Sequence, residues 1–99
     1  MILVWLAVAN DNRFDQLDYI AQDNPLAAIG QDEEIERQVS MLLQQPKMGR
    51  PGRWKGTREL VISHTPFVAV YRLQANRIEV IRLLHSSQQW LDGLPLSQK

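Results

Sequence analysis

Apolar positions change their spacing along this chain, and each change predicts a different element. Met1-Ile-Leu-Val-Trp-Leu-Ala-Val-Ala9 is a short apolar run, and Ile2 to Leu6 is predicted to form a buried strand. Between about residues 8 and 22, Phe14, Leu17, Ile20 and Ala21 recur at three- and four-residue spacing, which predicts a helix with one buried stripe. Asn24-Pro25 restarts the chain, because asparagine is a favoured N-cap and proline fits the first turn, where its missing N–H costs nothing. The second helix is expected to run to about Gln44, with Ala28, Ile35, Val39 and Leu42 on one face, and Pro46 ends it. Gly30 weakens that helix by about 1 kcal/mol relative to alanine, which leaves open a kink or a start delayed to Gln31.

Downstream the period drops to two. Thr57 to Ser63, Phe67 to Leu73 and Ile78 to Leu84 are rich in β-branched and aromatic residues, with His64-Thr65-Pro66 and Gln74-Ala75-Asn76 as turns between them. These strands make an antiparallel meander. A two-residue loop at Ala75-Asn76 sets Gln74 opposite Arg77, Arg72 opposite Glu79, Val70 opposite Ile81 and Val68 opposite Leu83. Alternation then gathers Leu60, Ile62, Phe67, Ala69, Tyr71, Leu73, Ile78, Val80 and Leu84 on a core face under the helices, with Arg58 and Arg82 towards its edges. The opposite face is mixed, carrying Glu59, Val61, Ser63, Val68, Val70, Arg72, Glu79, Ile81, Leu83 and His85. A slip of one residue would exchange the two faces. The expected architecture is a single α+β domain over residues 1–99.

Composition narrows the class. The chain has 99 residues, 44% of them apolar, which suits one modest core. It has no cysteine, so neither a disulfide framework nor a thiolate metal site is available, and a reducing cytoplasm is the expected compartment. The first apolar run lacks a basic flank, meets acids from Asp11 onward and is too short to span a bilayer, so no membrane partner is expected.

The zero net charge conceals two opposite halves. Residues 1–45 hold two basic residues against eight acids, a net of −6, and the remainder holds nine against three, a net of +6. Such polarity makes one surface attractive to phosphates or to an acidic protein, unless the charges are simply solvated faces and loops. Lys47, Arg50, Arg53, Lys55 and Arg58 fall within twelve residues with Trp54 interleaved. Cations that neutralise phosphates beside an indole that can stack on a base suit single-stranded RNA, and they suit an acidic protein tail equally. The alternative is a solvated loop whose Trp54 caps the core.

His85 closes the last strand, where an imidazole serves either as a proton-transfer group near neutral pH or as hydrogen-bonded scaffold. Arg72 is expected to face Glu79, which makes an ion pair as natural a role as phosphate binding. His64 is read as a turn residue. Two histidines 21 residues apart, with no close acidic cluster, disfavour a metal site, and Gly49, Gly52 and Gly56 form no phosphate-cradling motif.

The order of strand, helical hairpin, basic loop and meander, with Gly56-Thr-Arg-Glu-Leu60, Val70-Tyr-Arg72 and Ile78-Glu-Val-Ile-Arg-Leu-Leu-His85 as its most specific pieces, resembles the RelE/ParE superfamily of bacterial toxins over essentially the whole chain. The resemblance implies a toxin neutralised by a cognate antitoxin protein, with no cofactor and one of two targets. The first is messenger RNA on the ribosome, cut without metal by His85 and Arg72 while Lys47, Arg50, Arg53, Trp54, Lys55, Arg58 and Arg82 bind the nucleic acid. The second, a ParE-like alternative, is DNA gyrase, bound and trapped without catalysis. RelE-like ribonucleases usually carry an arginine where this chain has Val68, a basic pair where it has His85-Ser86, and a terminal tyrosine near the place of Trp90 or Leu91. The leading expectation is the ribonuclease.

Overall fold

A computed structural model describes residues 1–87. The chain forms β1 (Ile2–Trp5), α1 (Ala7–Asp23), α2 (Pro25–Ser40) prolonged by a 3₁₀ turn at Met41–Leu43, β2 (Arg50–Pro51), β3 (Arg58–Val61), β4 (Phe67–Gln74) and β5 (Arg77–His85). The strand β2 is an addition to the expected set. At two residues it is too short to leave a periodic signal, and it is recognisable only by its pairing of Arg50 with Glu59 and Pro51 with Arg58. The sheet order is β1-β5-β4-β3-β2, with β1 parallel to β5 and the rest antiparallel. The helical hairpin covers one face of this sheet and the core lies between them.

Asn24 serves both helices. Its backbone N–H closes α1 on the Ile20 carbonyl at 2.9 Å, and its side-chain oxygen accepts from the Ala27 N–H at 3.1 Å to cap α2. The helix α2 passes through Gly30 without a kink or a late start, because Ile35, Val39 and Leu42 are buried beyond it and Asp32 is tied to Arg13 of α1 at 2.7 Å. The guanidinium of Arg13 also lies 4.7 Å over the Trp5 ring, joining both helices to β1.

The stripe of α1 differs from the expected one. Leu17 and Ile20 pack on the core with Ala9, but Phe14 is 70% exposed. Core-side positions of α1 go instead to two amides. Since β1 ends at Trp5, the edge of β5 beyond Val80 lacks a strand partner; Asn12 Oδ1 accepts from the Leu83 N–H at 3.1 Å and Gln16 Nε2 donates to the Leu83 carbonyl at 2.8 Å. Side chains thereby satisfy backbone groups that would otherwise be orphaned. Gln38 of α2 does the same past the end of β3, accepting from the Ser63 N–H at 2.8 Å and donating to its carbonyl at 2.9 Å. The strand expected to reach Ser63 therefore pairs as a strand only to Val61.

The β4–β5 hairpin keeps the expected register for half its length. Gln74 pairs with Arg77 and Arg72 with Glu79, and then a bulge skips Ile81, so that Val70 pairs with Arg82, Ala69 with Leu83, Val68 with Leu84 and Phe67 with His85. The expected pairs Val70–Ile81 and Val68–Leu83 do not form. One extra residue exchanges the faces of everything beyond it. Leu83 rather than Leu84 enters the core cluster, Arg82 moves to the face turned away from the helices, and His85 moves to the helix side.

Candidate functional site: an arginine face held by two buried carboxylates

The sheet face away from the helices carries Glu59 on β3 and Glu79 on β5, only 3% and 5% exposed at their side chains. A buried carboxylate needs charged partners. Glu59 has Arg50 Nη2 at 3.0 Å, Arg53 Nε at 3.0 Å and the Arg53 backbone N–H at 3.1 Å. Glu79 has Arg72 Nε at 2.7 Å and Arg77 through both Nε, at 2.8 Å, and Nη2. The side chains of the four arginines are 37–56% exposed, so each pair joins a buried carboxylate to a partner open to solvent.

Both carboxyls are held below the ordinary value of 4.5. For Glu59, burial pushes upward, but hydrogen bonds from the Arg53 side chain, the Arg53 backbone and Arg50 outweigh it. For Glu79, hydrogen bonds from Arg72 and then Arg77 dominate over burial. Arg82, opposite Val70, brings a fifth guanidinium to this face and donates to its neighbour's Ile81 carbonyl at 3.0 Å. Five cations against two carboxylates leave a net of about +3 on one sheet face.

The basic loop divides across the sheet edge. Arg50 and Arg53 turn to the carboxylate, while Arg58 donates to the Gly49 carbonyl at 2.6 Å and the Lys47 carbonyl at 3.3 Å, which commits it to holding the loop. Tyr71, fully buried, anchors the same loop: its hydroxyl donates to the Pro46 carbonyl at 2.7 Å and accepts from the Gly49 N–H at 2.9 Å. Burial pushes the Tyr71 hydroxyl up, against opposing contributions from Gly49 and Arg58, so it stays a neutral donor. A Cβ on Gly49 would come within 2.8 Å of the Tyr71 ring and the Glu59 carbonyl, so this close approach requires glycine. At the tip, Thr57 closes a tight turn on the Trp54 carbonyl at 2.6 Å, leaving Trp54 half-buried with the Arg53 guanidinium 6.0 Å from its ring, and Lys55 exposed.

The structure thus brings Arg50, Arg53, Arg72 and Arg82 of the expected residues to one face, the first three held by carboxylates, and leaves Lys47, Lys55 and Arg58 outside that group. It also adds Arg77, which sequence reasoning missed; its place two residues from Glu79 on one strand, and hence on the same face, was the available signal.

His85 is elsewhere. It meets Phe67 edge to face on the helix side and accepts from the Ser87 N–H at Nδ1, 3.1 Å away. Asp15, Gln16 and Tyr19 of α1 complete a cleft of about 210 Å³ around it. Along β4, Phe67 and Arg72 are five residues apart, about 17 Å at the rise of an antiparallel strand. The two residues expected to share chemistry therefore stand on opposite faces and at opposite ends of the hairpin. Trp90 and Leu91 lie outside the described residues. Among the described residues no three His, Asp or Glu side chains group as metal ligands would, and no helix is long and apolar enough to cross a membrane.

This arrangement of strand, helical hairpin and five-stranded mixed sheet is that of a small α+β toxin domain. A solved structure described as the chromosomal ParDE TA system from P. aeruginosa shares it with a TM-score of 0.79 at 26% identity, covering 86% of this chain and 95% of that one. "Putative toxin Y4kP" of Sinorhizobium fredii is 39% identical over 79 residues, 79% of this chain and 81% of the relative. The family described as the ParE toxin of type II toxin-antitoxin system, parDE, matches residues 3–90, and the chain belongs to that family. It is a toxin of a ParDE-type system, a membership that implies a cognate antitoxin as partner.

Proposed function

We propose that this toxin inhibits DNA gyrase by binding it, without cutting RNA, and is held inactive by its antitoxin. The observation that carries this reading is the bulge at Ile81. Metal-free cleavage of RNA needs a proton-transfer group and phosphate-binding cations around one phosphorus, whereas the bulge puts His85 on the helix side and Arg82 on the other, with Arg50, Arg72 and Arg77. Membership of the ParE family favours the same target. The arginine face then acts as a docking surface: Glu59 and Glu79 pre-orient guanidinium groups that bind an anionic patch on the gyrase–DNA complex, with the pairing lowering the ordering cost of docking. A gyrase target fits a toxin that acts in the cytoplasm.

The test runs plasmid supercoiling by purified gyrase and translation in a cell-free extract side by side with the same toxin preparation. Supercoiling inhibited and translation intact is the expected result, and Arg72→Ala with Arg77→Ala should weaken the inhibition. Translation arrested by cleavage of mRNA, with supercoiling untouched, would return the protein to the ribonuclease reading.

A further inference from the structure

Lys47 and Arg58, which the carboxylate-held face leaves out, meet elsewhere. Pro51, Arg58 and Tyr71 lie in one row across β2, β3 and β4, and Tyr71 belongs to the core, so the row turns to the helix side of the sheet. Leu73, two residues along β4, shares that side and packs against the core. Beside the row opens a cleft of about 300 Å³ lined by Lys47, Pro51, Gly56, Thr57, Arg58 and Leu73. It faces away from the arginine face, and the gyrase reading does not use it.

What holds the cations differs between the two faces. Arg50, Arg53, Arg72 and Arg77 each meet a buried carboxylate, whereas the half-buried Arg58 is fixed by neutral groups, its Nη1 donating to the Gly49 carbonyl at 2.6 Å and the Lys47 carbonyl at 3.3 Å. Carbonyls fix a guanidinium without cancelling its charge. Among the described residues neither Arg58 nor Lys47 forms an ion pair, and no acid lines the cleft, so two cations leave it a net of +2. A partly buried charge calls for a counter-ion, and here the protein supplies none. Backbone forms the remaining wall: the Thr57 N–H closes a turn on the Trp54 carbonyl at 3.1 Å with Gly56 at φ 79°, and a Cβ on Gly56 would meet nothing within 4 Å.

We propose that this cleft binds the phosphate monoester of a nucleotide, with Arg58 and Lys47 on the phosphate oxygens and Pro51 and Leu73 against the sugar or base. The planar fork of a guanidinium matches two phosphate oxygens, and an ammonium adds a point charge. A phosphate monoester carries about −1.5 to −2 near neutral pH, which balances the two cations. The volume lies at the small end of ligand sites, about 300–1,000 Å³, which suits one nucleotide and excludes a duplex. The monoester can belong to a free mononucleotide or to the 5′-phosphate end of a strand.

The probe is adenosine 5′-monophosphate, titrated into the ¹⁵N-labelled full chain in phosphate-free buffer, with adenosine as the uncharged control. Amide shifts should saturate and centre on Lys47, Gly56, Thr57 and Arg58, and adenosine should bind at least about tenfold more weakly, as loss of two charge-assisted contacts implies. Lys47 is exposed, so Lys47→Gln keeps the fold, and it should weaken the nucleotide about fivefold or more while Lys47→Arg restores it. A 5′-phosphorylated oligonucleotide and its 5′-hydroxyl form separate the sources: a strand end is the ligand if the phosphorylated oligonucleotide binds tighter than the mononucleotide and the hydroxyl form does not, and a free nucleotide if the mononucleotide binds at least as tightly. Equal binding of adenosine and its monophosphate, shifts centred on Arg72, Arg77 and Arg82 instead, or affinity untouched by Lys47→Gln would overturn the proposal. None of these results bears on supercoiling, so the cleft and the gyrase reading stand or fall separately.

Discussion

Phe67 and His85 face each other across β4 and β5 on the helix side of the sheet, with ring centroids 5.7 Å apart and planes at 90°. Phe67 belongs to the core cluster, so the pair ties the end of β5 to the hydrophobic interior. His85→Gln should therefore lower stability by about 1 kcal/mol, the scale of one edge-to-face pair, and leave inhibition of supercoiling intact. Loss of toxic activity by roughly 10²–10⁴-fold in a folded variant is the signature of general acid–base catalysis and would count against a purely structural histidine.

The carboxylates of Glu59 and Glu79 make stability depend on acid. Both are held below 4.5 when folded. A depressed folded value means that the contribution is present above about 4.5 and lost as pH falls through the lowered folded values. Urea midpoints measured at neutral pH and again below pH 4 should fall more for the native protein than for a Glu59→Gln, Glu79→Gln double variant. The same double variant should inhibit gyrase less well, since its arginines lose their anchors. Equal acid sensitivity of both proteins would show that other groups govern the transition.

Tyr71→Phe removes one oxygen and leaves two partners behind, the Pro46 carbonyl and the Gly49 N–H. Stranding buried groups costs about 1–3 kcal/mol, so the urea midpoint should drop with the slope unchanged. Amide exchange should quicken at Gly49 and Arg50 more than in β5, because the hydroxyl holds the basic loop rather than the hairpin.

Two backbone substitutions should stabilise. A Cβ at Gly30 meets nothing within 4 Å, so Gly30→Ala should add close to the helix-propensity difference of about 1 kcal/mol. Ala75 sits at φ 52°, in the left-handed region, and Ala75→Gly should relieve about 1 kcal/mol of strain. Thermal melts of each variant check both; a lowered melting temperature for Gly30→Ala would mean that the helix surface there is already engaged.

Much of this architecture is legible in the sequence because it depends on neighbours in the chain. The Asn24-Pro25 break, the buried face of Ala28, Ile35, Val39 and Leu42, the turn at Ala75-Asn76 and the cross-strand pair of Arg72 with Glu79 all follow from periodicity, capping and turn chemistry. The strand β2 did not follow, because two residues have no period. Nor did the stripe of α1, whose core side is taken by Asn12 and Gln16 for a reason that lies 71 and 67 residues away at Leu83.

By itself, then, the sequence determined the α+β order and the presence of a cationic segment, which rest on local pattern and composition, while the toxin family came from its resemblance to known toxins. Only the tertiary structure decided which cations share a face, that two buried glutamates hold them, and that His85 stands apart from them. The physical reason is the side-chain period of two in a strand. A single skipped residue at Ile81 reverses every side chain after it, and whether it is skipped depends on long-range contacts: Leu83 fits the core and has its backbone bonded by two amides of α1.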